Sequence, residues 1–468
     1  MDFTKAIERI FKKYLPSPFT LAVLLTLLTI LLALLLIKNT EKSWHLTTVL
    51  SYWEDGIWNN GLLVFAYQMM LILVLGHVLV LSKPMGKLIL RLTGLVKDSA
   101  GAAVLVALST MLVSFFNWGL GLIFGAILAR KVGEHAHKNN IPVNYPLIGA
   151  AGYVGLMVWH GGISGSAPLK VSEAGHLHSL MKGVSKSHMV LELPDFISTS
   201  ETIFSPMNIV VFIVLLISIS ILAYRLGKKA KPTNWDSGEY NFSTPGVDSG
   251  SRETPAAPEH DFGESLDRSG FFAMGFGILI LATFLVQYSE MMGQLNITPN
   301  MLNFFMLGLA LLMHGSFKNF LKAVEMAIGD VSGILIQFPL YFGIMGIMAG
   351  SGMIDSISDF FVSISNRTTL PIFTFFSAGM VNIFVPSGGG QWAVQGPMII
   401  ESALKLDIPL SKAVMALAYG DQVTNMLQPF WALPLLGITK LKAKEILPYT
   451  ILFMLVGGSI YLLGLFIF

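Results

Sequence analysis

Four otherwise apolar stretches of this chain are interrupted by glycines, prolines and polar side chains, and these interruptions carry its candidate chemistry. A broken helix exposes free amides and a positive dipole that can hold an anion, and free carbonyls that can hold a cation. One such break is more simply explained as a packing kink, whereas four breaks in a repeated order indicate a binding site. The four stretches are "SFFNWGLG" (114–121), "VWHGGISGSAPLK" (158–170), "VNIFVPSGGGQW" (381–392) and "GDQVTNMLQPFWALP" (420–434).

Polar residues in two of these stretches are the first candidates for ligand contacts. Asn117 and Asn382 recur in them, and each either contacts a ligand or caps a helix terminus. Ser387 and Gln391 supply further hydrogen-bonding groups, while three consecutive glycines between them permit a tight reversal of the chain. Four tryptophans near the breaks either line the site or pack elsewhere. They are Trp118, Trp159, Trp392 and Trp431.

Two ionisable residues fall inside predicted membrane spans, where a charge is costly and is usually functional. His160 either carries a proton, donates to a carboxylate, or makes a structural hydrogen bond between helices. Asp421 either holds a coupling cation, forms an ion pair, or lies nearer the interface. Sodium and a proton are both open as the coupling ion, and no other metal and no cofactor is expected. The predicted ion-site residues are Asn117, Asn382, Gly420 and Asp421.

The composition places these residues on membrane helices. The chain has 468 residues, of which 53% are hydrophobic and 12% charged, so a soluble fold cannot hide its apolar surface. We therefore predict an all-α polytopic membrane protein. Two interrupted stretches, about 100–130 and 371–403, have lengths typical of re-entrant helical hairpins. Nine crossings are expected, at about 19–37, 61–81, 145–165, 206–226, 271–288, 301–315, 332–351, 413–438 and 447–467.

Basic residues beside the predicted spans set the orientation, because the positive-inside rule assigns the side that carries them to the cytoplasm. The N-terminus is then cytoplasmic and the C-terminus external. The first apolar run has no small-residue cleavage signature, so a removable signal peptide is not expected. The basic residues on the predicted cytoplasmic side are Lys5, Arg9, Lys12, Lys13, Lys83, Lys87, Arg91, Lys97, Arg130, Lys131, Arg225, Lys228, Lys229, Lys318, Lys322, Lys440, Lys442 and Lys444.

The two halves of the chain resemble each other. Gln68 and Ser82 align with Gln337 and Ser351, and a hairpin and a broken helix follow in the same order in both halves. An odd number of crossings separates equivalent points, so we predict an inverted repeat, which in transporters places the binding site near the midplane. The predicted units are 1–226 (first repeat, broken helix about 145–180), 227–269 (polar cytoplasmic linker), 270–300 (extra helix and external loop) and 301–468 (second repeat, broken helix about 413–438). No function is assigned to the linker or to the external loop at 170–204.

The stretches "VNIFVPSGGGQWAVQGP" and "YGDQVTNMLQPFWALPLLGI" resemble the bacterial short-chain fatty acid transporter family, the acetoacetate and butyrate permeases. The resemblance extends over essentially the whole chain, and that family is similar in plan to the wider ion-transporter superfamily. It implies a homodimer in a bacterial inner membrane, with a scaffold domain and a transport domain that moves as an elevator. The substrate contacts that it implies are Asn117, Ser164, Ser166, Asn382, Ser387, Gly388, Gly389, Gly390 and Asn425.

The charge pattern of the breaks favours one class of substrate. No Lys or Arg occurs at 114–128, 158–168, 382–398 or 421–434, so helix N-termini and neutral donors must hold any anion. A charge–dipole contact contributes about 0.3–2 kcal/mol, whereas a second carboxylate costs several kcal/mol to desolvate. We therefore predict a carrier for short monocarboxylates such as butyrate or acetoacetate, driven by H⁺ or Na⁺ symport. The residues expected to cover the short tail are Trp118, Phe384, Trp392 and Phe430.

The sequence also bears on three other classes of function: a carrier for a different anion, an anion channel and an intramembrane enzyme. A carrier for a dicarboxylate or an amino-acid derivative is the main alternative, and an anion channel requires a continuous polar path. An intramembrane enzyme using His160 lacks an HExxH motif, a GxSxG elbow and paired carboxylates, so no enzymatic activity is expected. The net charge of +2 indicates no nucleic-acid partner, and the chain has no cysteine for disulfides or thiolate metal sites. The expected partners are the carboxylate, membrane lipid and a second copy of the chain.

Overall fold

The computed structural model describes residues 16, 18–36, 45–181, 193–233, 262–385 and 387–468. Several predictions fall outside these ranges. They concern the first basic cluster, residues 182–192 of the predicted external loop, residues 234–261 of the predicted linker and residue 386 of the stretch 381–392. The side chains of Phe384 and Phe430 are also outside the description.

Every regular element in the described ranges is a helix, and the first half ends with a long one, α10. A 3-10 turn, Val154–Met157, follows α7. The helices are α1 (Pro18–Leu36), α2 (His45–Ile57), α3 (Asn60–Val80), α4 (Lys83–Thr93), α5 (Ser99–Phe116), α6 (Trp118–Lys138), α7 (Tyr145–Ala151), α8 (Ser166–Lys170), α9 (His176–Leu180) and α10 (Pro206–Lys229).

The second half repeats this order after two additional helices, α11 and α12. Short 3-10 turns, Ile328–Val331 and Asn425–Leu427, precede α15 and α20. The helices are α11 (Phe262–Arg268), α12 (Gly270–Gly293), α13 (Pro299–His314), α14 (Phe317–Ala327), α15 (Ser332–Gly350), α16 (Met353–Ile364), α17 (Thr369–Phe384), α18 (Gly388–Lys405), α19 (Leu410–Thr424), α20 (Pro429–Thr439) and α21 (Ala443–Ile467).

Six of the described helices are long and apolar enough to cross a membrane, by length and composition. Five of them, α3, α10, α12, α15 and α21, match predicted crossings, and the sixth, α5, is the first arm of a hairpin. The crossings predicted at 19–37 and 301–315 appear as shorter apolar helices over Ala22–Leu35 and Pro299–His314. The remaining two predicted crossings are the broken helices. These helices make the chain a multi-pass membrane protein.

Two hairpins and two broken helices occupy the stretches predicted for them. Helix α5 packs against α6 across the single residue Asn117, and α17 packs against α18 across residues 385–387. The first broken helix ends at the Val154–Met157 turn and resumes at α8, after a glycine-rich stretch. The second resumes at Pro429, which suits the first turn of a helix because proline has no N–H. The predicted all-α fold with these features is confirmed.

Helices from the two halves pack on each other reciprocally. Helix α1 packs on α15 while α13 packs on α3, and α2 packs on α15 while α14 packs on α3. Helices α1, α2 and α3 occupy the same places in the first half as α13, α14 and α15 in the second. Each half therefore packs its first two helices on the third helix of the other half, which is the contact pattern that a two-fold repeat produces.

The four interruptions meet in the interior. Helix α6 of the first hairpin contacts α20 of the second broken helix, and α18 of the second hairpin contacts α8 of the first. The two 3-10 turns, Val154–Met157 and Asn425–Leu427, also contact each other. The predicted convergence of the breaks is therefore present, and the candidate site lies where they meet.

Candidate functional site

Asn117 forms the turn of the first hairpin. It is fully buried, and its Oδ1 accepts a hydrogen bond from Leu120 N at 2.7 Å, which caps α6. Its Nδ2 donates to Ile72 O of α3 at 3.2 Å. Gly76 permits this approach, because a Cβ there would lie 2.3 Å from Asn117 Oδ1. The Asn117 amide therefore positions the hairpin tip against α3.

Ser387 begins the second arm of the second hairpin. Its Oγ accepts a backbone hydrogen bond from the first turn of α18 at 3.3 Å. Ser387, rather than Asn382, thus occupies the capping position that Asn117 holds in the first hairpin. Gln391 lies one turn further along α18, where its Nε2 donates to Ala378 O at 2.9 Å and joins the two arms.

Asn382 lies in the last turn of α17, before the hairpin tip. Its Nδ2 reaches three acceptors, namely Asp421 O at 2.7 Å, Thr424 Oγ1 at 2.9 Å and Asn425 Oδ1 at 2.8 Å. A side-chain amide carries only two hydrogens, so these contacts use its donor capacity within the protein. Asn382 therefore fixes the second hairpin to the break in the second broken helix.

His160 and Asp421 join the two broken helices. His160 Nδ1 contacts Asp421 Oδ2, and His160 Nε2 accepts a hydrogen bond from Ala167 N at 3.1 Å. Because Nε2 is an acceptor, the ring hydrogen is assigned to Nδ1, which donates it to the carboxylate. The His160 ring also stacks on Trp159, with centroids 4.5 Å apart. A Cβ on Gly388 would lie 2.8 Å from His160 Cε1 and 3.1 Å from Asp421 Oδ2, so the second hairpin lies directly against this buried pair.

Gln422 and Asn208 satisfy the backbone of the first break. Gln422 Oε1 accepts hydrogen bonds from His160 N at 2.8 Å and Gly161 N at 3.0 Å. Asn208 Nδ2 of α10 donates to Gly161 O at 2.8 Å. Irregular backbone at membrane depth is tolerated when protein groups satisfy its amides and carbonyls. Here Gln422 of the second half and Asn208 of the first half do so.

Further hydrogen bonds tie the hairpins and breaks together. Ser164 Oγ accepts from Trp118 N at 2.8 Å, which joins the first break to the first hairpin. The Tyr153 hydroxyl lies 2.9 Å from Asn425 O and 3.0 Å from Gln428 O, which joins the two breaks. The four interruptions therefore form one connected assembly.

Gly420 lies at the contact between α17 and α19. A Cβ at this position would lie 2.0 Å from Phe375 O, so only glycine permits this helix separation. Its own carbonyl is 3.4 Å from Thr424 Oγ1. The structure thus gives Gly420 a packing role, and its contact with a coupling ion stays a prediction.

A cavity of about 250 Å³ lies between the hairpin tips, the breaks and helices α3 and α15. Its volume is slightly below the ~300–1,000 Å³ typical of sites for drug-sized ligands, so it suits a smaller molecule. The described residues that line it carry no charged side chain. They are Met69, Leu73, Trp118, Leu156, Trp159, Ser166, Ser332, Gly333, Ile334, Gln337, Phe338, Ser387, Gly388, Gly389, Asn425 and Trp431.

Three of the four tryptophans near the breaks line this cavity. The ring of Trp118 lies 5.6 Å from that of Trp159 and 5.4 Å from that of Trp431, between centroids. The Nε1 atoms of Trp118 and Trp159 are buried and have no hydrogen-bond partner among the described residues. Trp392 instead donates to His176 Nε2 at 2.9 Å and is not part of the lining.

The cavity brings together part of the predicted site. Trp118, Ser166, Ser387, Gly388, Gly389 and Asn425 line it. The other predicted contacts pack behind this lining and hold the hairpins and breaks in place. They are Asn117, His160, Ser164, Asn382, Gly390 and Gln391.

Gln337 lines the cavity but is not among the predicted substrate contacts. It lies on α15 with Ser332 and Gly333, which begin that helix. Its recurrence at the position matching Gln68 was a usable signal, because both are polar side chains at matching positions within apolar spans.

Gln68 itself takes part in a polar group that we call the Lys170 cluster, formed by the buried residues Gln68 and Lys170, the partly exposed Glu173 and the exposed Asn300. Lys170 Nζ donates to Gln68 Oε1 at 2.9 Å and pairs with Glu173. Gln68 Nε2 donates to Asn300 Oδ1 at 2.9 Å and to Glu173 Oε1 at 3.1 Å. The cluster therefore joins the end of the first broken helix to α3 and to the start of α13.

An all-helical membrane fold with an uncharged internal cavity, placed where two hairpins and two broken helices meet, defines a membrane transport protein. A sequence model of the short chain fatty acid transporter family matches residues 2–468. The chain belongs to this family, and the resemblance seen in its glycine-rich tip is confirmed.

Curated relatives from two bacteria are provisionally named short-chain fatty acid transporters. The protein of Escherichia coli strain K12 is 35% identical over 472 residues, which cover 99% of each chain. The protein of Haemophilus influenzae strain ATCC 51907 is 34% identical over 465 residues, which cover 97% of this chain and 96% of the relative.

Two solved transporter structures share the fold. The YdaH transporter of Alcanivorax borkumensis, described as having an unusual topology, matches 97% of each chain with a TM-score of 0.57 at 17% identity. The second structure is MtrF of Neisseria gonorrhoeae, whose description refers to a class of antimetabolite efflux pumps. The match covers 99% of this chain and 97% of the MtrF chain, with a TM-score of 0.54 at 12% identity. At these identities the likeness extends to the fold alone.

Proposed function

We propose that this protein takes up short-chain monocarboxylates, such as butyrate or acetoacetate, across a bacterial inner membrane by cation symport. The observation that carries the proposal is the uncharged lining of the 250 Å³ cavity. One carboxylate can be held there by neutral donors and helix dipoles, whereas a second would be desolvated without a cationic partner. Membership of the short-chain fatty acid transporter family supports the same substrate class.

The hydrogen bonds within the protein indicate which N–H groups can bind the substrate carboxylate. Nδ2 atoms of Asn117, Asn382 and Asn425 donate to protein acceptors. The buried Nε1 groups of Trp118 and Trp159 have no such acceptor among the described residues. In this proposal they hold the carboxylate, together with the first amides of α18. The positive end of that helix dipole favours the negative charge.

The alkyl or keto tail lies against the apolar side of the lining. Met69 and Leu73 of α3 supply one wall, and Ile334 and Phe338 of α15 supply another. Each buried CH₂ contributes about 0.8 kcal/mol, so a tail of a few carbons adds useful affinity without a polar anchor at its far end.

The coupling cation is proposed to bind at the His160–Asp421 pair, and a proton suits this pair best. The pair is buried behind the cavity, next to Gly388, so cation and substrate sites are adjacent. Asp421 Oδ1 has no hydrogen-bond partner among the described residues and is therefore an atom to which a proton can add without breaking a contact. Accumulating an anion against a negative interior requires such a co-transported positive charge.

Alternating access is proposed to occur by an elevator movement in a homodimer. The hairpins and broken helices form the moving domain, and α1, α3, α13 and α15 belong to the scaffold. The exposed residue Ser332 lies at the start of α15, on the cytoplasmic side of the predicted topology, which supports an inward-facing state as part of the proposal. In this proposed orientation the N-terminus is cytoplasmic and the C-terminus periplasmic.

Uptake of labelled butyrate into proteoliposomes tests the proposal. A pH gradient imposed alone is expected to drive accumulation, and a sodium gradient imposed alone is not. Unlabelled acetate, butyrate and acetoacetate are expected to compete, whereas succinate, citrate and amino-acid derivatives are not. Failure of every short monocarboxylate to compete contradicts the substrate class, and saturation without uphill accumulation contradicts symport.

A further inference from the structure

A second cavity, of about 330 Å³, lies at the corner between α3, α4 and α6. It shares no lining residue with the uncharged cavity. Ile438, near the end of α20, forms part of its wall. Its lining combines apolar residues with four basic side chains, which are Lys83, Lys87, Arg130 and Lys131.

Arg130 is held rigidly in this second cavity. It is only 5% exposed, its Nε lies 2.7 Å from Glu134 Oε1, and its Nη1 donates to Ile438 O at 2.8 Å. Lys131 Nζ lies 3.3 Å from Glu134 Oε2, so this carboxylate is shared between two cations. Positive charge therefore exceeds negative charge in the wall that α6 contributes.

Lys83 and Lys87 add two more positive charges on α4. They are spaced one helical turn apart, and neither has a hydrogen bond or ion pair with another described residue. Like charges at this spacing destabilise each other, and an anion bound between them relieves the repulsion. Helix α4 also exposes apolar side chains, with Leu88 44% exposed and Leu90, which lines the cavity beside the lysines, 60% exposed.

We propose that the second cavity binds the headgroup of an anionic phospholipid. The four basic side chains provide partners for its phosphate, and Leu90 and Ile127 of the lining lead toward the exposed apolar face for its acyl chains. Basic pockets between membrane helices on the cytoplasmic side suit such headgroups, and the basic residues here predict that side. A free phosphate uses the same cations but gains nothing from the apolar lining.

The position of this site gives the lipid a structural effect. Arg130 and Lys131 belong to the second arm of the first hairpin, whereas Lys83 and Lys87 belong to α4, which follows α3. A bound headgroup therefore bridges the hairpin to an element outside the hairpins and breaks.

Native mass spectrometry of the purified full-length protein tests the proposal. The probes are phosphatidylglycerol, cardiolipin, phosphatidylcholine and inorganic phosphate, each added alone. The double variant Lys83→Gln/Lys87→Gln is expected to weaken phosphatidylglycerol binding about 30-fold, since each lysine near a headgroup contributes about 1 kcal/mol and 1.4 kcal/mol is tenfold. The control variant Lys97→Gln/Lys444→Gln removes the same charge from exposed positions outside the cavity and is expected to bind as the unmodified protein does.

Each other result counts against the proposal. Equal losses in the two double variants mean non-specific attraction, and phosphatidylcholine binding as tightly as phosphatidylglycerol removes the role of charge. Inorganic phosphate that displaces phosphatidylglycerol at equal concentration means a site for a soluble anion. If the lysine double variant fails to fold, Lys87→Gln alone against Lys97→Gln alone provides the same comparison.

Discussion

His160 Nδ1 contacts Asp421 Oδ2 although the two residues lie 261 positions apart, on the two different broken helices. With the ring hydrogen on Nδ1 and the carboxylate ionised, the pair carries one negative charge. One added proton neutralises it, and a bound monocarboxylate restores one negative charge to the assembly. In the proposed proton symport, the empty site and the site loaded with one proton and one carboxylate therefore carry the same charge, so neither state has a greater electrostatic cost in the membrane.

Asp421→Asn is accordingly expected to separate coupling from binding. The amide keeps the shape and an acceptor for His160 but does not take up a proton. Butyrate accumulation driven by a pH gradient should be lost, whereas exchange of internal for external butyrate should continue. Both are measured in the same proteoliposomes. An Asp421→Asn protein that still accumulates butyrate would show that the proton is carried elsewhere.

Trp118→Phe and Trp159→Phe are each expected to weaken butyrate binding about tenfold or more. Each removes an N–H donor that is proposed to hold the carboxylate, and a hydrogen bond to a charged group contributes about 1.5–3 kcal/mol. Trp431→Phe is the matched control, because it removes the same ring area from the same cavity. Dissociation constants from isothermal titration calorimetry decide the matter, and equal effects of all three substitutions would exclude a role for the indole donors.

The Lys170 cluster is expected to break during each transport cycle. Gln68 Nε2, in the proposed scaffold, is 3.1 Å from Glu173 Oε1, which follows α8, and 2.9 Å from Asn300 Oδ1 at the start of α13. The chain has no cysteine, so pairs can be introduced cleanly. Bridging Gln68→Cys to Glu173→Cys with a short reagent that dithiothreitol cleaves should stop butyrate uptake, and cleavage should restore it.

Bridging Gln68→Cys to Asn300→Cys provides the control for the cluster, because both positions belong to the proposed scaffold. This bridge should leave uptake unchanged. Uptake that continues with the Gln68–Glu173 bridge in place would contradict the elevator movement, and loss of uptake with both bridges would point to general damage.

The hairpins and breaks were predictable because their signals are local. Glycine and proline interrupt apolar runs at 114–121, 158–170, 381–392 and 420–434, and irregular backbone in a membrane requires a polar interior. The reciprocal packing of α1 on α15 and of α13 on α3 follows from the repeat that Gln68 and Gln337 mark.

The direction of each polar side chain was not predictable in this way. Asn117 recurs with Asn382 in the sequence, yet Ser387 is the residue that caps the second arm, since the two tips differ in length. Gln337 lines the cavity while Gln68 binds Lys170, because the two repeats have different neighbours. These differences depend on tertiary contacts between the halves, which the alternation of apolar and polar residues does not encode.

Gly420→Ala is expected to destabilise the protein, and Gly437→Ala is its matched control on the same broken helix. A Cβ at Gly420 would lie 2.0 Å from Phe375 O and 2.9 Å from Ala378 Cβ, so α17 and α19 must separate. Overpacking of this kind costs about 1–3 kcal/mol. At Gly437 no atom lies within 4 Å of the added Cβ, so alanine there should leave stability unchanged or raise it by about 0.5–1 kcal/mol through its helix preference. Melting temperatures of the two variants in one detergent test this, and equal melting temperatures would mean that the close approach of α17 and α19 does not limit stability.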